Sequence, residues 1–390
     1  MMGSIRTIQV VAAGENQHCG VKDYALHLAA TMSQESSRVV TITPSAARVT
    51  RDRIAQLKDM RKDISRQVLA LPQASLVHVQ YADFSWNGTR ICEDLYELFS
   101  RKCRIPLVLT VHEHPWLRAE HETDKARTLA DRAFALIAGY RRLPSSISLE
   151  ILRRHRAIHV HHAWHKALLV SSGVPASIIR VEPNFIPDCK ASPDQIAVFK
   201  RRFELDGKRI IAAAGFVFER KRYERLLDLL PDLPSDTVLC VLGGANGRPS
   251  EQYLATLNDR AKALGVSSRF VVTGYLPEAE MNAGLQAADV FAAPYGEVTS
   301  SGSVARCIGS GAPIVAWKCQ TFDELEANGA GLVVVDPEDR EAIRHLVLKL
   351  LDRKESGVAS GLRQKNASYA GRWSLSNVAR EIQAWYGECV

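Results

Sequence analysis

Three basic side chains follow a glycine in the second half of the chain, within the segment AAAGFVFERKRYERLL. Gly215 ends an apolar run typical of a buried strand, and Arg220, Lys221 and Arg222 precede a helical stretch. Lysine and arginine form charge-assisted hydrogen bonds with phosphate oxygens. Such a cluster at the end of a strand therefore predicts a site for a diphosphate.

A second candidate anion site lies in the segment PYGEVTSSGSVARCIGSGAPIVAW. Its SSGS run, residues 300–303, stands directly ahead of a helical stretch that is closed by Gly311 and Pro313. Small residues at a helix N-terminus leave backbone N–H groups accessible at the positive end of the helix dipole, which suits an anion. Two such sites in one domain predict a bound nucleoside diphosphate.

Histidines and carboxylates stand where strands end in the first half of the chain. Neutral imidazole can position a hydroxyl group or transfer a proton near pH 7. We expect His112 to be functional, and we expect His114, which precedes a proline, to be structural. The polar residues at these strand ends are His78, Gln80, Tyr81, His112, Glu113 and His114.

The loop after the first strand, GENQHCGV, contains Gly14 and Gly20. Glycines there allow a phosphate or a sugar to approach the backbone at the next helix N-terminus, although an ordinary strand-to-helix turn explains the loop equally well. The loop lacks the pattern G-x-G-x-x-G, so nicotinamide binding has little support.

The histidine-rich segment HVHHAWH contains His162 and His165, which would share a helix face. A metal site is not favoured, because alternate strand residues point to opposite faces and no cysteine or carboxylate completes the ligand set nearby. The eight cysteines include no C-x-x-C pair, which argues against both a zinc site and a disulfide framework. We expect no metal and no cofactor.

The elements that position these residues alternate between short apolar strands and helices. Runs such as VVTITP and PLVLTVHEH are typical of parallel strands covered by helices on both faces. A Pro-, Asp- and Ser-rich stretch at 186–196 separates two such series. We predict two Rossmann-like α/β domains, 1–190 and 191–372, and a closing helix at 373–390 that packs on the N-terminal domain.

The composition is typical of a globular protein, with 390 residues, 46% hydrophobic and 24% charged. No transmembrane run or signal peptide is recognisable, so a cytoplasmic location is expected. The net charge is +7. The basic clusters fit a solvated face, contact with anionic lipid headgroups at the inner face of the membrane, or phosphorylated ligands, whereas no nucleic-acid module accompanies them. They comprise Arg101, Lys102, Arg104, Arg141, Arg142, Arg153, Arg154 and Arg156.

Together these segments resemble family 4 of the retaining glycosyltransferases (glycosyltransferase group 1). Those enzymes have the glycosyltransferase-B fold, in which two Rossmann-like domains face each other across a cleft. In the first half, HCGVKDYALHLA, LVHVQYADF and LTVHEHPW look like acceptor-side loops, and WSLSNVAREIQAWY looks like the helix that crosses back. The segments of the second half that carry the resemblance are GFVFERKRYERLLDLL, LCVLGGANG, RFVVTGYLPEAEMNAGLQAADVFAAPY, SSGSVARCIGSGAPIVAW and FDELEANGAGLVVVDPED.

The resemblance implies roles for individual residues. Lys221 would contact the donor diphosphate, and His112 would lie beside the transferred sugar. The amides of Ser301, Gly302 and Ser303 would cradle the diphosphate. The remaining donor-side positions are Gly20, which faces the phosphates, Glu324, which faces the sugar or nucleotide, and Tyr275 and Leu276, which fall in the base pocket.

This sequence departs from the family pattern at three positions. Phe216 replaces an arginine, so Arg220 or Arg222 would have to supply the second charge. Val298 and Arg306 replace a pair of glutamates, of which the second holds the ribose. A guanidinium cannot accept hydrogen bonds from a ribose, so Arg306 would pair with a phosphate or with a carboxylate such as Glu297.

The sequence therefore predicts transfer of a sugar, of the hexosyl class, from a nucleoside diphosphate sugar to a glycan, lipid-linked or small-molecule acceptor. Retention of configuration, independence of metal ions, and a place in bacterial polysaccharide or glycoconjugate biosynthesis are implied by the resemblance. The alternative is a catalytically weakened glycosyltransferase-like protein that binds a partner. A nicotinamide oxidoreductase is a third candidate and lacks its glycine motif.

Overall fold

The computed structural model describes residues 6–12, 19–32, 37–42, 53–82, 86, 95–113, 149–296, 298–352 and 356–390. Gly14, His114, Arg141, Arg142 and Glu297 lie outside these ranges. The chain forms two compact units, one of 1–183 with 375–390 and the other of 184–374. The boundaries predicted from the sequence are 190/191 and 372/373.

The N-terminal domain contains a six-stranded parallel sheet in the order β2-β1-β3-β4-β5-β6. Strands β1, β3, β4 and β5 are buried along their whole length because helices cover both faces. The strands are β1 Thr7–Ala12, β2 Ser37–Ile42, β3 Leu76–Tyr81, β4 Leu107–Val111, β5 Ala157–Val160 and β6 Ile179–Val181.

The described helices of this domain include one that follows the whole C-terminal domain in the chain. That helix, α14, packs against α1, and its Glu388 forms an ion pair with Arg180 at 2.7 Å. The helices are α1 Gly20–Thr31, α2 Arg53–Leu69, α3 Leu95–Lys102, α4 Leu149–Leu152, α5 Ala163–Ser171 and α14 Leu375–Cys389.

The C-terminal domain contains a second six-stranded parallel sheet, in the order β12-β11-β10-β7-β8-β9. Its core is formed by aliphatic strand residues that are flanked by helices. The strands are β7 Arg209–Ala214, β8 Thr237–Leu242, β9 Phe270–Val272, β10 Val290–Ala293, β11 Ile314–Trp317 and β12 Leu332–Val335.

Some of the described helices of this domain begin at a side-chain cap. Ser192 and Gln195 form a capping box at the start of α6, and Asp339 caps α12. The helices are α6 Pro193–Arg202, α7 Glu224–Leu227, α8 Arg248–Ala263, α9 Glu278–Ala287, α10 Gly302–Ser310, α11 Gln320–Ala327, α12 Arg340–Leu351 and α13 Ser356–Arg372.

Strand order creates a crevice in each sheet where the connections change direction. In the C-terminal sheet the chain runs outward from β7 through β8 and β9 and then returns to β10 on the other side of β7. In the N-terminal sheet the corresponding point lies between β1 and β3. Ligands of open parallel sheets bind at such switch points, outside the carboxyl ends of the strands.

A buried asparagine fixes α13 against the C-terminal sheet. Asn366 Nδ2 donates to the carbonyl oxygens of Ala312 at 2.7 Å and Gly331 at 3.1 Å, and Oδ1 accepts from the Gly331 amide at 2.7 Å. Asn366 is 0% exposed, so these backbone groups have no access to water. The single side chain therefore satisfies three buried groups at the entries of β11 and β12.

Replacing Asn366 with leucine is expected to lower the free energy of unfolding by about 2–4 kcal/mol, because buried donors and acceptors lose their partners. Urea unfolding measures the change. The matched control is Asn258→Leu on the exposed face of α8, which should stay within about 0.5 kcal/mol of the parent. Equal effects of the two substitutions would contradict the role of Asn366.

Candidate functional site

The crevice between β7 and β10 is flanked by Gly215 on one side and by Tyr295 and the start of α10 on the other. The turn after β7 passes through Gly215 at φ +93°, a conformation that favours glycine. A Cβ at this position would lie 2.6 Å from both Lys221 Nζ and Ser303 Oγ. The structure thus brings Ser303, which is distant in the chain, to the turn that contains Gly215 and Lys221, and all three residues were predicted from the sequence.

Lys221 returns to the end of β7 through a short 3-10 turn, Glu219–Lys221. Its Nζ donates to the carbonyl oxygen of Ala214 at 2.5 Å and lies 5.3 Å from the ring centroid of Tyr295. The hydroxyl groups of Tyr223 and Tyr295 donate to the same carbonyl, at 3.2 and 3.5 Å. The ammonium group is therefore held in place before any ligand arrives.

Burial, and then the positive charge of nearby Arg220, lower the pKa of Lys221 to about 7. A substantial fraction of Lys221 is therefore neutral at physiological pH in the unliganded protein. A bound anion favours the ammonium form and raises this pKa again, so that anion binding is coupled to proton uptake.

The N-terminus of α10 faces the same turn. Ser301 is the N-cap, and its side chain accepts a hydrogen bond from the Val304 amide at 3.2 Å. The Gly302 and Ser303 amides, in the first turn, have no acceptor among the described residues. Ser300 Oγ accepts from Asn184 Nδ2 at 2.7 Å, which anchors the segment before the helix.

The two arginines beside Lys221 differ in position. Arg220 is exposed and lies over the Phe218 ring, with its Cζ 5.7 Å from the centroid. Arg222 adopts the left-handed conformation at φ +49°, and its guanidinium lies against Gly296, just after β10. Arg222 is thus the arginine at the crevice. Arg220 affects the crevice because its positive charge lowers the pKa of Lys221.

Glycine-rich loops form the floor beside this turn. A Cβ on Gly243 would lie 2.3 Å from the Gly215 carbonyl oxygen, and one on Gly244 would lie 3.0 Å from Gly274 Cα. The Gly274 amide donates to the Gly243 carbonyl at 3.1 Å. Tyr275 follows and is 62% exposed, whereas Leu276 is buried. Of the two residues predicted for the base pocket, only Tyr275 presents an accessible surface.

Arg306, which occupies the position of the expected glutamate, lies on α10 and pairs with Glu278 at 3.4 Å. The expected partner Glu297 is outside the described residues. Glu324 is half-buried in α11. Burial of the Tyr369 hydroxyl, and then the negative charge of Glu324, raise the pKa of Tyr369 to about 12. Glu324 therefore lies near α13.

Sequence reasoning missed Tyr223, Tyr295 and Gly243. Tyr295 follows β10 in the dipeptide PY, and Gly243 follows β8 in the pair GG. Both positions are strand ends, so the rule that led to Gly215 also applies to them. The hydroxyl contacts with Ala214 depend on the packing of two separated segments, for which the sequence has no signal.

His112 lies immediately after β4 in the N-terminal domain and is 6% exposed. Its Nε2 is 2.8 Å from Gln80 Oε1, and its Nδ1 is 3.2 Å from His161 Nε2. Burial, and then the charge of His159, lower the pKa of His112 to about 3. A neutral imidazole at neutral pH is suited to hydrogen bonding and not to donating a proton as an acid.

The other described residues that were predicted at strand ends of the N-terminal domain lie at the carboxyl ends of its strands or on the strands themselves. Gly20, the first residue of α1, is exposed and has no atom within 4 Å of an added Cβ. His159 and His161 form hydrogen bonds with protein groups. Among the described residues, no group of three or more His, Cys, Asp and Glu side chains has the arrangement of a metal site.

A family model described as "Glycosyl transferases group 1" matches residues 207–353, which include the whole C-terminal sheet and all of the Lys221 and α10 region. The residues of the crevice thus fall within one family domain. Residues 207–353 are a group 1 glycosyltransferase domain. The resemblance stated from the sequence is confirmed.

Curated relatives match over part of the chain. The GDP-mannose-dependent alpha-(1-6)-phosphatidylinositol monomannoside mannosyltransferase of Mycolicibacterium smegmatis is 31% identical over 204 residues, 50% of this chain and 49% of the relative. The D-inositol 3-phosphate glycosyltransferase of Corynebacterium urealyticum is 26% identical over 161 residues, 41% and 37% of the two chains. The aligned part thus covers half or less of these relatives.

Solved structures match over nearly the whole length. The crystal structure of Anabaena Alr3699/HepE in complex with UDP and glucose gives a TM-score of 0.75 at 14% identity, covering 98% of this chain and 100% of the other. WaaG, a glycosyltransferase involved in lipopolysaccharide biosynthesis, gives 0.68 at 15%, with coverage of 96% and 98%. The predicted class, two Rossmann-like α/β domains of the glycosyltransferase-B fold, is confirmed.

The glycosyltransferase domain should bind UDP or GDP less tightly as the pH rises above 7. Below its pKa of about 7 Lys221 is already charged, whereas above it the lysine must first take up a proton, which costs up to about tenfold in affinity per pH unit. Titration calorimetry from pH 7 to pH 9 measures this slope. Lys221→Arg keeps its charge throughout and should remove the slope. Parallel slopes in parent and variant would contradict the assignment.

Proposed function

We propose that the protein transfers a sugar from a nucleoside diphosphate sugar to an acceptor held by its N-terminal domain. The observation that supports this most is the convergence of Lys221 Nζ, the Ser303 hydroxyl and the first amides of α10 on the turn at Gly215. A lysine and the unbonded amides of a helix N-terminus recognise a diphosphate. Two curated relatives are named as a mannosyltransferase and a glucosyltransferase, which supports sugar transfer as the class of reaction and a hexosyl group as the sugar.

In the proposed reaction, these groups stabilise the diphosphate as it departs from the anomeric carbon. Negative charge grows on the leaving group while the sugar becomes oxocarbenium-like, and donors fixed in advance stabilise that charge without reorganisation. Lys221 provides the positive charge, and we propose that no divalent metal is needed. Retention of configuration is proposed from the family resemblance alone.

The N-terminal domain would hold the acceptor. His112 is neutral and lies at the end of β4, which suits it to position a hydroxyl group and not to act as an acid. The name of the mycobacterial relative specifies a phosphatidylinositol mannoside acceptor, which supports a lipid-linked acceptor within bacterial glycoconjugate biosynthesis. A glycan or a small molecule is the alternative acceptor.

A second candidate function is a glycosyltransferase-like protein that binds nucleotide and has weakened catalysis. The observation that favours it is the ion pair of Arg306 with Glu278, where a carboxylate would otherwise accept hydrogen bonds from ribose. The intact arrangement around Lys221 supports the enzyme instead. The two functions differ in turnover and not in nucleotide binding.

A screen of UDP- and GDP-sugars by thermal stabilisation, followed by assays for transfer and hydrolysis with the stabilising donor, separates the two functions. We expect at least one donor to be turned over, unchanged turnover in EDTA, and a loss of about a hundredfold or more in kcat/KM for Lys221→Met, the size typical of a lost transition-state donor. Stabilisation without turnover would support the binding protein. Activity lost in EDTA and restored by Mg²⁺ or Mn²⁺ would contradict metal-independent transfer.

We further propose that a basic pocket of the N-terminal domain contacts anionic lipid headgroups. The pocket, of about 250 Å³, lies at the amino ends of β4 and β5 and is lined by Arg104, Arg154 and Arg156. Within the described part of the chain these three side chains form no hydrogen bond or ion pair, whereas Arg101 pairs with Glu150 at 2.9 Å. Unpaired guanidinium groups favour phosphate headgroups.

We propose that the protein is cytoplasmic. This contact would place it at the inner face of the membrane. Among the described helices, none combines the length and apolar character that crossing a bilayer requires. Surface charge would therefore have to supply the attraction, and each basic residue near an anionic surface contributes about 1 kcal/mol.

Replacing Arg104, Arg154 and Arg156 with glutamate should abolish cosedimentation with phosphatidylserine vesicles at low salt, and phosphatidylcholine vesicles should bind neither protein. The matched control replaces exposed basic residues of the other domain, Arg201, Lys349 and Lys365, by glutamate, which gives the same change in net charge. An equal loss in both variants would contradict a specific basic surface.

A further inference from the structure

The N-terminal domain contains a ring of buried polar groups, within hydrogen-bond distance of one another, across its sheet. Members from β1, β3, β4 and β5 share one face of the sheet, and α14 supplies one more. Every side chain in the ring is buried. We call it the polar ring, and its members are Gln9, His78, Gln80, Thr110, His112, His159, His161, Tyr386 and the backbone carbonyl of Glu182.

The Glu182 carbonyl sets the direction of one arm of the polar ring because a carbonyl oxygen can only accept. His159 Nε2 lies 2.8 Å from it and must carry the proton. Burial lowers the pKa of His159 to about 4, so the ring has no second proton, and His159 Nδ1 accepts from Thr110 Oγ1 at 2.9 Å. Thr110, having donated, accepts from His78 Nε2 at 2.6 Å. Gln80 Nε2, 3.4 Å from His78 Nε2, is then a neighbouring donor and forms no hydrogen bond with it.

The same direction continues through the C-terminal helix. His78 Nδ1, now unprotonated, accepts from the Tyr386 hydroxyl at 2.5 Å, and Tyr386 accepts from Gln9 Nε2 at 2.9 Å. Gln9 Oε1 then accepts from Gln80 Nε2 at 2.8 Å.

At the end of this arm, Gln80 Oε1 accepts from His112 Nε2 at 2.8 Å. A neutral His112 must then carry its proton on Nε2 and offer an unprotonated Nδ1. The Glu182 carbonyl thereby sets the tautomer of His112, which follows a different strand, β4.

The polar ring cannot close in its neutral state, and the mismatch lies at His161. Its Nε2 is 3.2 Å from His112 Nδ1, and its Nδ1 is 3.2 Å from the Glu182 carbonyl, so both contacts require a proton from His161. Burial, and then the charges of His159 and His112, hold the pKa of His161 well below its usual range, so the imidazole carries a single proton. One of the two longer contacts therefore remains without a hydrogen bond.

The opposite tautomer of His112 would relieve this mismatch. With the proton on His112 Nδ1, His161 Nε2 accepts and His161 Nδ1 donates to Glu182. Gln80 and Gln9 would then have to turn their amides over, and Gln9 would present its oxygen to Tyr386. Tyr386 already donates to His78, so that arrangement leaves Gln9 Oε1 facing an oxygen with no proton to give.

We propose that Tyr386 is a positioning residue, and that its hydroxyl, acting through Gln9 and Gln80, holds His112 in the Nε2–H tautomer. The proposal rests on the proposed function in that His112 is the residue proposed to position a hydroxyl group of the acceptor. The C-terminal helix thereby determines which nitrogen of His112 can accept a hydrogen bond at the carboxyl edge of the sheet.

The test is Tyr386→Phe, which removes the hydroxyl and keeps the aromatic ring. Imidazole ¹⁵N chemical shifts in histidine-labelled protein distinguish the protonated nitrogen from the unprotonated one. We expect Nε2–H for His112 in the parent protein and a shift to Nδ1–H in the variant. Gln9→Met, which interrupts the same arm while leaving the Tyr386–His78 bond in place, should give the same change.

The matched control is Tyr96→Phe, since the Tyr96 hydroxyl also bonds a buried histidine of this domain, His155, outside the polar ring. It should leave the His112 signals unchanged, with both unfolding midpoints measured alongside. Nδ1–H in the parent, or unchanged His112 signals in both Tyr386→Phe and Gln9→Met, would overturn the proposal.

Activity separates this proposal from the proposed function. If transfer is observed, Tyr386→Phe should lower kcat roughly ten- to a hundredfold with KM for the donor unchanged, as for other residues that orient a functional group. A changed tautomer with unchanged kcat would overturn the positioning role. A parent protein that transfers no sugar refutes the proposed function, and the ¹⁵N signals still decide whether Tyr386 sets the tautomer.

Discussion

The carbonyl oxygen of Ala214, at the carboxyl end of β7, is the contact on which the C-terminal site depends. It accepts from Lys221 and lies within reach of two tyrosine hydroxyls, so it fixes an ammonium group beside the start of α10. This is feasible because the sheet reverses its strand order there and leaves the strand ends open. The glycines at 215 and 243 are required by the same geometry, since a Cβ at 215 would collide with Lys221 Nζ and Ser303 Oγ, and a Cβ at 243 would collide with the Gly215 carbonyl.

Much of this arrangement was predictable from the sequence. Apolar runs with intervening helical patterns predicted two parallel sheets, and the rule that ligands bind at strand ends led to Gly215, Lys221 and Ser303. The same rule did not separate Arg220 from Arg222, because the left-handed turn at Arg222 that directs it toward Gly296 is a property of the folded loop. The pairing of Arg306 with Glu278 depends on how α9 and α10 pack, which sequence spacing does not specify.

The polar ring was the least predictable feature. The sequence indicates its histidines only singly, as strand-end residues or as part of a candidate metal segment. Their relation depends on register, in which Gln9 lies opposite His78 and Thr110 opposite His159. The contribution of Tyr386 comes from a helix that is distant in the chain, so no local pattern indicates it. Buried polar networks of this kind specify one packing because partial satisfaction is costly.

The position of α14 has a consequence for the order in which the chain folds. Residues 375–390 complete the N-terminal domain but are synthesised only after the whole segment Asn184–Ser374. Until then, Gln9 and His78 lack the hydroxyl that joins them, and the emerging N-terminal domain has an incomplete polar interior. Domains usually fold as they leave the ribosome, N-terminal first. The N-terminal domain is therefore completed only after the C-terminal domain has been made, so a product that ends before α14 would expose the part of the N-terminal core that α14 covers.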